Sequence, residues 1–539
     1  MQIRSVAVLG AGTMGAQIAA HVANAGLPAL LLDVTPQAAK EGLDRARALK
    51  PDPFFTTGAH ALVRTGGFDG ELAQIAACDW IVEAVVERLD IKQSLLERVE
   101  RHRAPQAIVS SNTSGIPIAA IAEGRSEPFR KHWLGTHFFN PPRYLRLLEV
   151  IPTPDTDPAV LETMIRFADL RLGKGIVVAR DTPNFIANHL GLFGVMQIFR
   201  ALASGQYTIE EIDAMTGPAI GRPKSATFRT MDIAGIDVLA HVARNLSERL
   251  PSEDDRSAFA LPALVQELVQ RGWVGAKSGQ GFYKKDASGE ILTLDPASMT
   301  YRAKRSARFT SIDAARSIED VGARIRTLFL GRDKVGQFLR ETLGSTLLYA
   351  ARVSPEIANS IDDVDRAMRW GFCWDLGPFE TWDAIGVKDV VDALGIADPP
   401  PLVREALGRG AFRPTEQSPA RPFGEVPPAG PGLQILREAK ERSRIVRKNA
   451  GASLVDLGDG VLCVEFHSKM NAIGGDTIQM LNAGVKEAAA NFRALVVGND
   501  AANFSAGANL MLLLLEAQEG NWEEIDLMVR GFQQATMAL

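Results

Sequence analysis

Runs of apolar residues, and the spacing of apolar positions between them, divide this chain into stretches of two periods. Residues 3–9 form a β-branched run, broken at once by Gly10-Ala11-Gly12-Thr13-Met14-Gly15 and followed by helical spacing through Ile18, Ala19 and Val22. Further runs predict strands at residues 29–32, 80–86, 107–111, 134–139, 147–151 and 176–179, and helical stretches at 91–102 and 160–170 alternate with several of them. Residues 1–183 therefore read as one doubly wound α/β domain, whose ligands bind at the carboxyl ends of its strands. From 184 to 200 the pattern is helical and apolar all round, through Phe185, Ile186, Leu190, Phe193 and Met196. Such a helix is expected to be buried at a domain or subunit interface, with Asp181-Thr182-Pro183 supplying its cap and first turn.

The middle of the chain is predicted to be mostly helical and internally repeated. Ile212-Asp213-Ala214-Met215, with a following Met-Asp-Ile-Ala-Gly segment, recurs loosely as Val364-Asp365-Arg366-Ala367-Met368 and Trp382-Asp383-Ala384-Ile385-Gly386. Residues 184–300 are taken as a first helical domain and 301–410 as its copy, with no catalytic role expected of the copy. A linker is expected at 411–449, rich in proline and glycine at first, with its basic end at 437–448 read as a solvated helix. A new α/β pattern begins at about residue 450.

Two constellations carry chemistry. The three glycines suit a tight turn, close approach of backbone to a pyrophosphate and close helix packing, with Thr13 and Met14 at the helix start facing the phosphates. Asp33 ends the second strand, where a carboxylate accepts both adenosine ribose hydroxyls and repels a 2′-phosphate, so NAD is the expected cofactor. The second constellation is LGTHFFNPPRYLRLLEVI, residues 134–151. Glu149 lies in an apolar run, where a carboxylate needs a cationic or ionisable partner, and His137 is the nearest candidate across the turn-prone Asn140-Pro141-Pro142. Paired, they are the equipment of a general base taking a proton from an alcohol. A core histidine bonded to backbone is the alternative.

The composition narrows the classes. A chain of 539 residues, 46% hydrophobic and with a formal charge of -5, has room for three or four domains and lacks the basic excess of a nucleic-acid binder. Cys78, Cys373 and Cys463 are scattered and show neither disulfide nor zinc spacing. With no apolar run of membrane-spanning length and a strand starting almost at Met1, a cytoplasmic location is expected.

Six motifs occur in one order: GAGTMG, VEAVVERLDIK, SNTSGIPI, THFFNPP with the later LLEVI, DTPNFIANHL and KSGQGFYKK. In these the chain resembles the NAD-dependent 3-hydroxyacyl-CoA dehydrogenases of fatty-acid β-oxidation. The resemblance implies a Rossmann-type domain followed by helical dehydrogenase domains, an acyl-CoA thioester substrate and dimer contacts around residues 184–200. It implies that His137 is the catalytic base and Glu149 its orienting partner, with Ser114 and Asn188 bonding the reacting oxygen. It further implies that Glu87, Lys92, Asn140 and Lys277, with Ser114, contact NAD or the phosphopantetheine region.

The carboxyl-terminal KMNAIG and FSAGANL resemble the enoyl-CoA hydratase (crotonase) family, in which the Ala508 amide would be half of an oxyanion hole. The chain ends before the residues that would complete that site, so residues 450–539 are read as an incomplete crotonase-like segment without hydratase activity. Two other readings stand beside the dehydrogenase: a protein that keeps the nucleotide without catalysis, and a dehydrogenase of free hydroxy acids.

Overall fold

The computed structural model describes residues 2–413, 422–423, 436–441, 444–458, 460–501 and 503–539. It divides into two compact units, Met1–Gly432 and Leu433–Leu539, a division that falls within the expected linker. Most of 414–435 lies outside the described residues.

The first unit opens with an eight-stranded sheet of order β3-β2-β1-β4-β5-β6-β7-β8. Its strands are β1 (Val6–Leu9), β2 (Ala29–Asp33), β3 (Val63–Gly67), β4 (Trp80–Glu83), β5 (Ile108–Ser111), β6 (Trp133–Phe138), β7 (Leu147–Pro152) and β8 (Gly175–Val178). All neighbours run parallel except β6 and β7, which form an antiparallel pair. The apolar runs account for this core, since Val6, Ala7, Val8, Leu9 and Ile81 are fully buried between helix layers. Strand β3 was not expected: its sequence VRTGG has no apolar run, and it is held at the sheet edge by its register with β2. The topological switch lies between β1, which is followed by helix α1 (Thr13–Asn24), and β4.

The helical part begins with α2 (Ala187–Ala203), not at residue 184. Asn184 and Phe185 are left-handed (φ 58° and 51°), and the Asp181 carboxylate expected to cap this helix instead accepts from the amides of Ile118 and Ala119, at 2.7 and 2.9 Å. Next come α3 (Ile209–Thr216), α4 (Phe228–Ala234) and α5 (Ile236–Arg249). A three-stranded antiparallel sheet follows: β9 (Tyr283–Lys285), β10 (Ile291–Asp295) and β11 (Thr300–Ala303). The domain division expected at 300/301 thus falls inside a strand. The second helical stretch contains α6 (Ser345–Ile357), α7 (Ile361–Phe372), α8 (Pro378–Ile385) and α9 (Val387–Leu394).

The apolar α2 is covered from within the same unit. Gly191 brings its backbone against the Phe372 ring of α7, and Phe193 stacks on Tyr349 of α6 with centroids 3.7 Å apart. Its burial therefore does not call for a second copy of the chain.

In the second unit, β12 (Ile445–Lys448), β13 (Ala452–Gly458), β14 (Val461–Phe466) and β15 (Ala494–Gly498) form a four-stranded sheet with α10 (Gly475–Asn491), α11 (Leu510–Glu519) and α12 (Trp522–Met537). The basic stretch 437–448 is not one solvated helix: a helix spans Leu436–Glu441 and Ile445–Lys448 pairs with β13, whose free edge outweighs helix propensity there. Ala508 forms a parallel bridge with Ile473. No helix among the described residues is long and apolar enough to cross a membrane.

Candidate active site

At the end of β1 the chain turns through Gly10, with φ 105°, where a Cβ would lie 2.6 Å from the Ala84 carbonyl oxygen. At Gly15 a Cβ would lie 1.8 Å from the Gly10 oxygen, whereas at Gly12 it would meet nothing within 4 Å. Two glycines are thus required by the protein's own packing, and the middle one faces open space at the start of α1. No side chain caps that helix, which leaves the amides of its first turn, Thr13 and Met14 among them, for an anion. The Asp33 carboxylate accepts from the amides of Ala11 (2.6 Å) and Val34 (2.7 Å), which fixes it beside the glycine turn. Open backbone, free helix amides and an acid at the neighbouring strand end fit a dinucleotide.

Charged residues underlie this cleft. Lys92 is 1% exposed, and its ammonium bonds both oxygens of the fully buried Glu83 (2.8 and 3.0 Å) and lies 3.3 Å from Glu87. Ser111 also donates to Glu83. Glu87 accepts from the Thr113 hydroxyl and from the Ser114 and Gly115 amides, at 2.5, 3.0 and 3.1 Å. Burial alone would raise the Glu87 carboxyl, but the Lys92 charge and these bonds outweigh it and hold it below the ordinary carboxylate range. Glu87 therefore fixes the loop that carries Ser114. Asn140 accepts from Gln17 of α1 at 3.2 Å, which places it on the glycine-loop side of the sheet.

His137 and Glu149 stand opposite each other in the β6–β7 register. His137 Nδ1 and Glu149 Oε2 are 2.8 Å apart, with the residues 3% and 0% exposed. The second carboxylate oxygen accepts from the amides of Ile186 (3.1 Å) and Ala187 (2.9 Å) at the start of α2. The left-handed turn at Asn184 and Phe185 aims those amides at Glu149, so a 17-residue helix and the imidazole share one buried carboxylate. The Glu149 oxygen at Nδ1 favours the tautomer with its proton on that nitrogen, which leaves Nε2 to accept from the Ser114 hydroxyl 3.1 Å away. The rings of Phe139 and Phe185 flank the imidazole at 4.6 and 5.5 Å and keep its surroundings dry.

Asn188 lies in the first turn of α2, one residue past the Ala187 amide, half-buried and with no side-chain hydrogen bond among the described residues. Lys277 does not join this group: its ammonium is on Asp237 of α5 at 2.6 Å. Three contributors escaped the sequence reading. Glu83 could have been found as a carboxylate closing an apolar strand nine residues before Lys92. Asn184 and Asn245 could not: they meet the Ser114 loop from different elements, where a Cβ on Gly115 would lie 2.6 Å from Asn184 Oδ1 and 2.5 Å from Asn245 Nδ2.

A glycine turn with a ribose acceptor, beside a buried histidine–carboxylate pair, defines a nicotinamide-dependent dehydrogenase of the Rossmann type. Residues 5–182 match the NAD binding domain of 3-hydroxyacyl-CoA dehydrogenase, and residues 185–285 match the C-terminal domain of that enzyme. The chain is 42% identical to a probable 3-hydroxyacyl-CoA dehydrogenase of Bacillus subtilis (strain 168), over the whole of this chain and 72% of that protein. It is 27% identical to a putative fatty acid oxidation complex trifunctional enzyme of Rickettsia felis, over the whole of this chain and 73% of that one. In fold it is similar to 3-hydroxybutyryl-CoA dehydrogenase of Escherichia coli K12, with a TM-score of 0.56 and 22% identity over 76% of this chain and 99% of the other. The chain belongs to the 3-hydroxyacyl-CoA dehydrogenase family. It is an NAD-dependent oxidoreductase that interconverts 3-hydroxyacyl-CoA and 3-ketoacyl-CoA.

Proposed function

We propose that His137 is the general base of this reaction and Glu149 its positioning partner, acting on (S)-3-hydroxyacyl-CoA in fatty-acid β-oxidation. The observation that carries this reading is the Glu149 carboxylate held between Nδ1 and the start of α2. NAD, when bound against Gly10, Gly12, Thr13, Met14, Gly15 and Asp33, supplies the hydride acceptor. His137 Nε2 takes the hydroxyl proton as the C3 hydride departs, and the resulting imidazolium is stabilised by Glu149 in a dry, low-dielectric setting. In reduction His137 returns that proton. Ser114 and Asn188 serve the same oxygen as hydroxyl and as ketone, since neutral side chains suit both states. Glu87, Lys92 and Asn140 organise the floor and cofactor side of the cleft.

We also divide the chain into a Rossmann domain over 1–183, two helical domains after it, and a crotonase-like segment from about 450. Cys78, Cys373 and Cys463 are unpaired, which suits a reducing compartment, and we assign the enzyme to the cytoplasm.

The test is reduction of acetoacetyl-CoA by NADH in the wild type and in His137→Gln, with NADH binding measured alongside. The expected result is a fall in kcat of at least about a hundredfold with binding retained. Turnover at wild-type rate in His137→Gln would overturn the assignment.

A further inference from the structure

Asn184 stands where three parts of the active-site region meet: the start of α2, the Ser114 loop and α5. It is fully buried, and with φ 58° it makes the left-handed break after which the Ile186 and Ala187 amides reach Glu149. Glycine takes such a φ without steric cost, and asparagine is among the few other residues that tolerate it. What asparagine adds is a side-chain amide. Its Nδ2 donates to the Val242 carbonyl of α5 at 3.1 Å, which settles which way the amide faces. Oδ1 lies against Gly115, where a Cβ would be 2.6 Å from it, and it has no hydrogen-bond partner among the described residues. A buried acceptor left without a donor is costly, and such strain gathers at functional sites.

The same Cβ on Gly115 would lie 2.5 Å from Asn245 Nδ2, and Asn245 is fixed by its bond to His241, one turn earlier on α5 (3.3 Å). Gly115 is thus gripped between two amide side chains, each tied to α5, while its own N–H donates to Glu87 at 3.1 Å. The residue before it is Ser114, whose Oγ is 3.1 Å from His137 Nε2. The loop that carries this hydroxyl is therefore held on one side by the Glu87 carboxylate and on the other by close contact with two asparagines. Of these two, Asn184 also belongs to the turn that seats Glu149, so one residue borders both partners of the histidine.

We propose that Asn184 is a positioning residue of the dehydrogenase reaction: it holds Ser114 at His137 by clamping Gly115, and through Val242 it ties that loop to α5. The proposal rests on the roles given above to His137 and Ser114, and it adds a residue that acts through another. A small displacement of the Ser114 hydroxyl weakens its bond to the reacting oxygen and lowers turnover, while the glycine turn that receives NAD is untouched.

The test is a double-mutant cycle in the full chain, with kcat for acetoacetyl-CoA reduction expressed per NADH-binding site. Asn184→Gly keeps the left-handed turn and removes the clamp. It should lower kcat at least about tenfold with NADH affinity retained. In a Ser114→Ala background the same substitution should cost less than about threefold, because the group it positions is already gone. A merely structural residue would lower the denaturation midpoint and leave kcat per site unmoved, which overturns the proposal. So does a loss of kcat that persists in full in the Ser114→Ala background. Should Asn184→Gly bind no NADH, Asn184→Asp takes its place in the cycle, since it keeps the shape and turns an acceptor towards the Val242 carbonyl. Failure of both to bind NADH makes Asn184 a folding residue and likewise overturns the proposal. Ser114→Ala at wild-type rate would instead sink the role of Ser114, and wild-type turnover in His137→Gln that of the base, so the two levels fail separately.

Discussion

The two helical stretches of the first unit repeat the same hydrogen bonds with different consequences. In the first, Asp213 of α3 caps the start of α4, and Asp232 accepts from the amides of Phe282 and Tyr283. In the second, Asp365 of α7 accepts from the amides of Phe379 and Glu380 at the start of α8, and Asp383 accepts from those of Phe412 and Arg413. Even the glycines after the second pair agree: Gly235 has φ 104° and ψ 121°, Gly386 φ 102° and ψ 122°. The difference lies in the helix that precedes each set. Helix α2 starts after a left-handed break, and its first amides hold Glu149. Helix α6 instead continues from a π-helical turn at Arg340–Gly344, so its first amides are spent inside a longer helix and no carboxylate can dock there. The two stretches thus share their capping bonds, and of the two helix starts the first holds a buried carboxylate.

The largest effect that would break this comparison is on Glu149. Glu149→Gln should lower kcat at least about a hundredfold while NADH binding survives, because Gln cannot stabilise an imidazolium by charge. A near-normal kcat would mean that the helix start has no part in catalysis. Next in size are the repeated caps. Asp365→Ala should cost about 1–2 kcal/mol, read as a lowered denaturation midpoint, with kcat unchanged. If kcat fell in parallel, the second stretch would be more than scaffold.

The smallest effect is on acid stability. His189 of α2 is buried against Tyr349 of α6, with Nε2 and the hydroxyl 2.7 Å apart. Burial, with Arg352 nearby, lowers its pKa from 6.5 to about 4. The folded form resists a proton that the unfolded chain accepts, so this histidine's contribution to stability is present above pH 6.5 and is lost as pH falls towards 4. His189→Gln should flatten that limb of the stability–pH curve. His21, lowered to about 3 on the same side, leaves a residual slope. A curve unchanged by the substitution would remove His189 from the account.

How much of this could be read in advance depended on whether the partners were local. The glycine turn, Asp33 and the His137–Glu149 pair are written in short motifs and in strand register, which sequence displays directly. The helix start at Ala187 was misplaced because Asp181 followed by Pro183 has the form of a local cap, whereas its carboxylate serves Ile118, 63 residues earlier. Lys277 shows the same limit: nothing near it in the chain points to Asp237, forty residues before it. The repeat was visible as recurring Ile/Val-Asp and Asp-x-x-Gly segments, but the reason each aspartate recurs, a pair of amides elsewhere in the chain, was not.

The cover over α2 has a further consequence. Phe193 and the notch at Gly191 are covered by Tyr349 and Phe372 of the second helical stretch. A fragment cut after β11 would keep the dehydrogenase machinery yet expose a greasy stripe along the helix that seats Glu149. The second helical stretch thus lines the helix whose first amides hold Glu149, and a fragment without it should loosen that helix end.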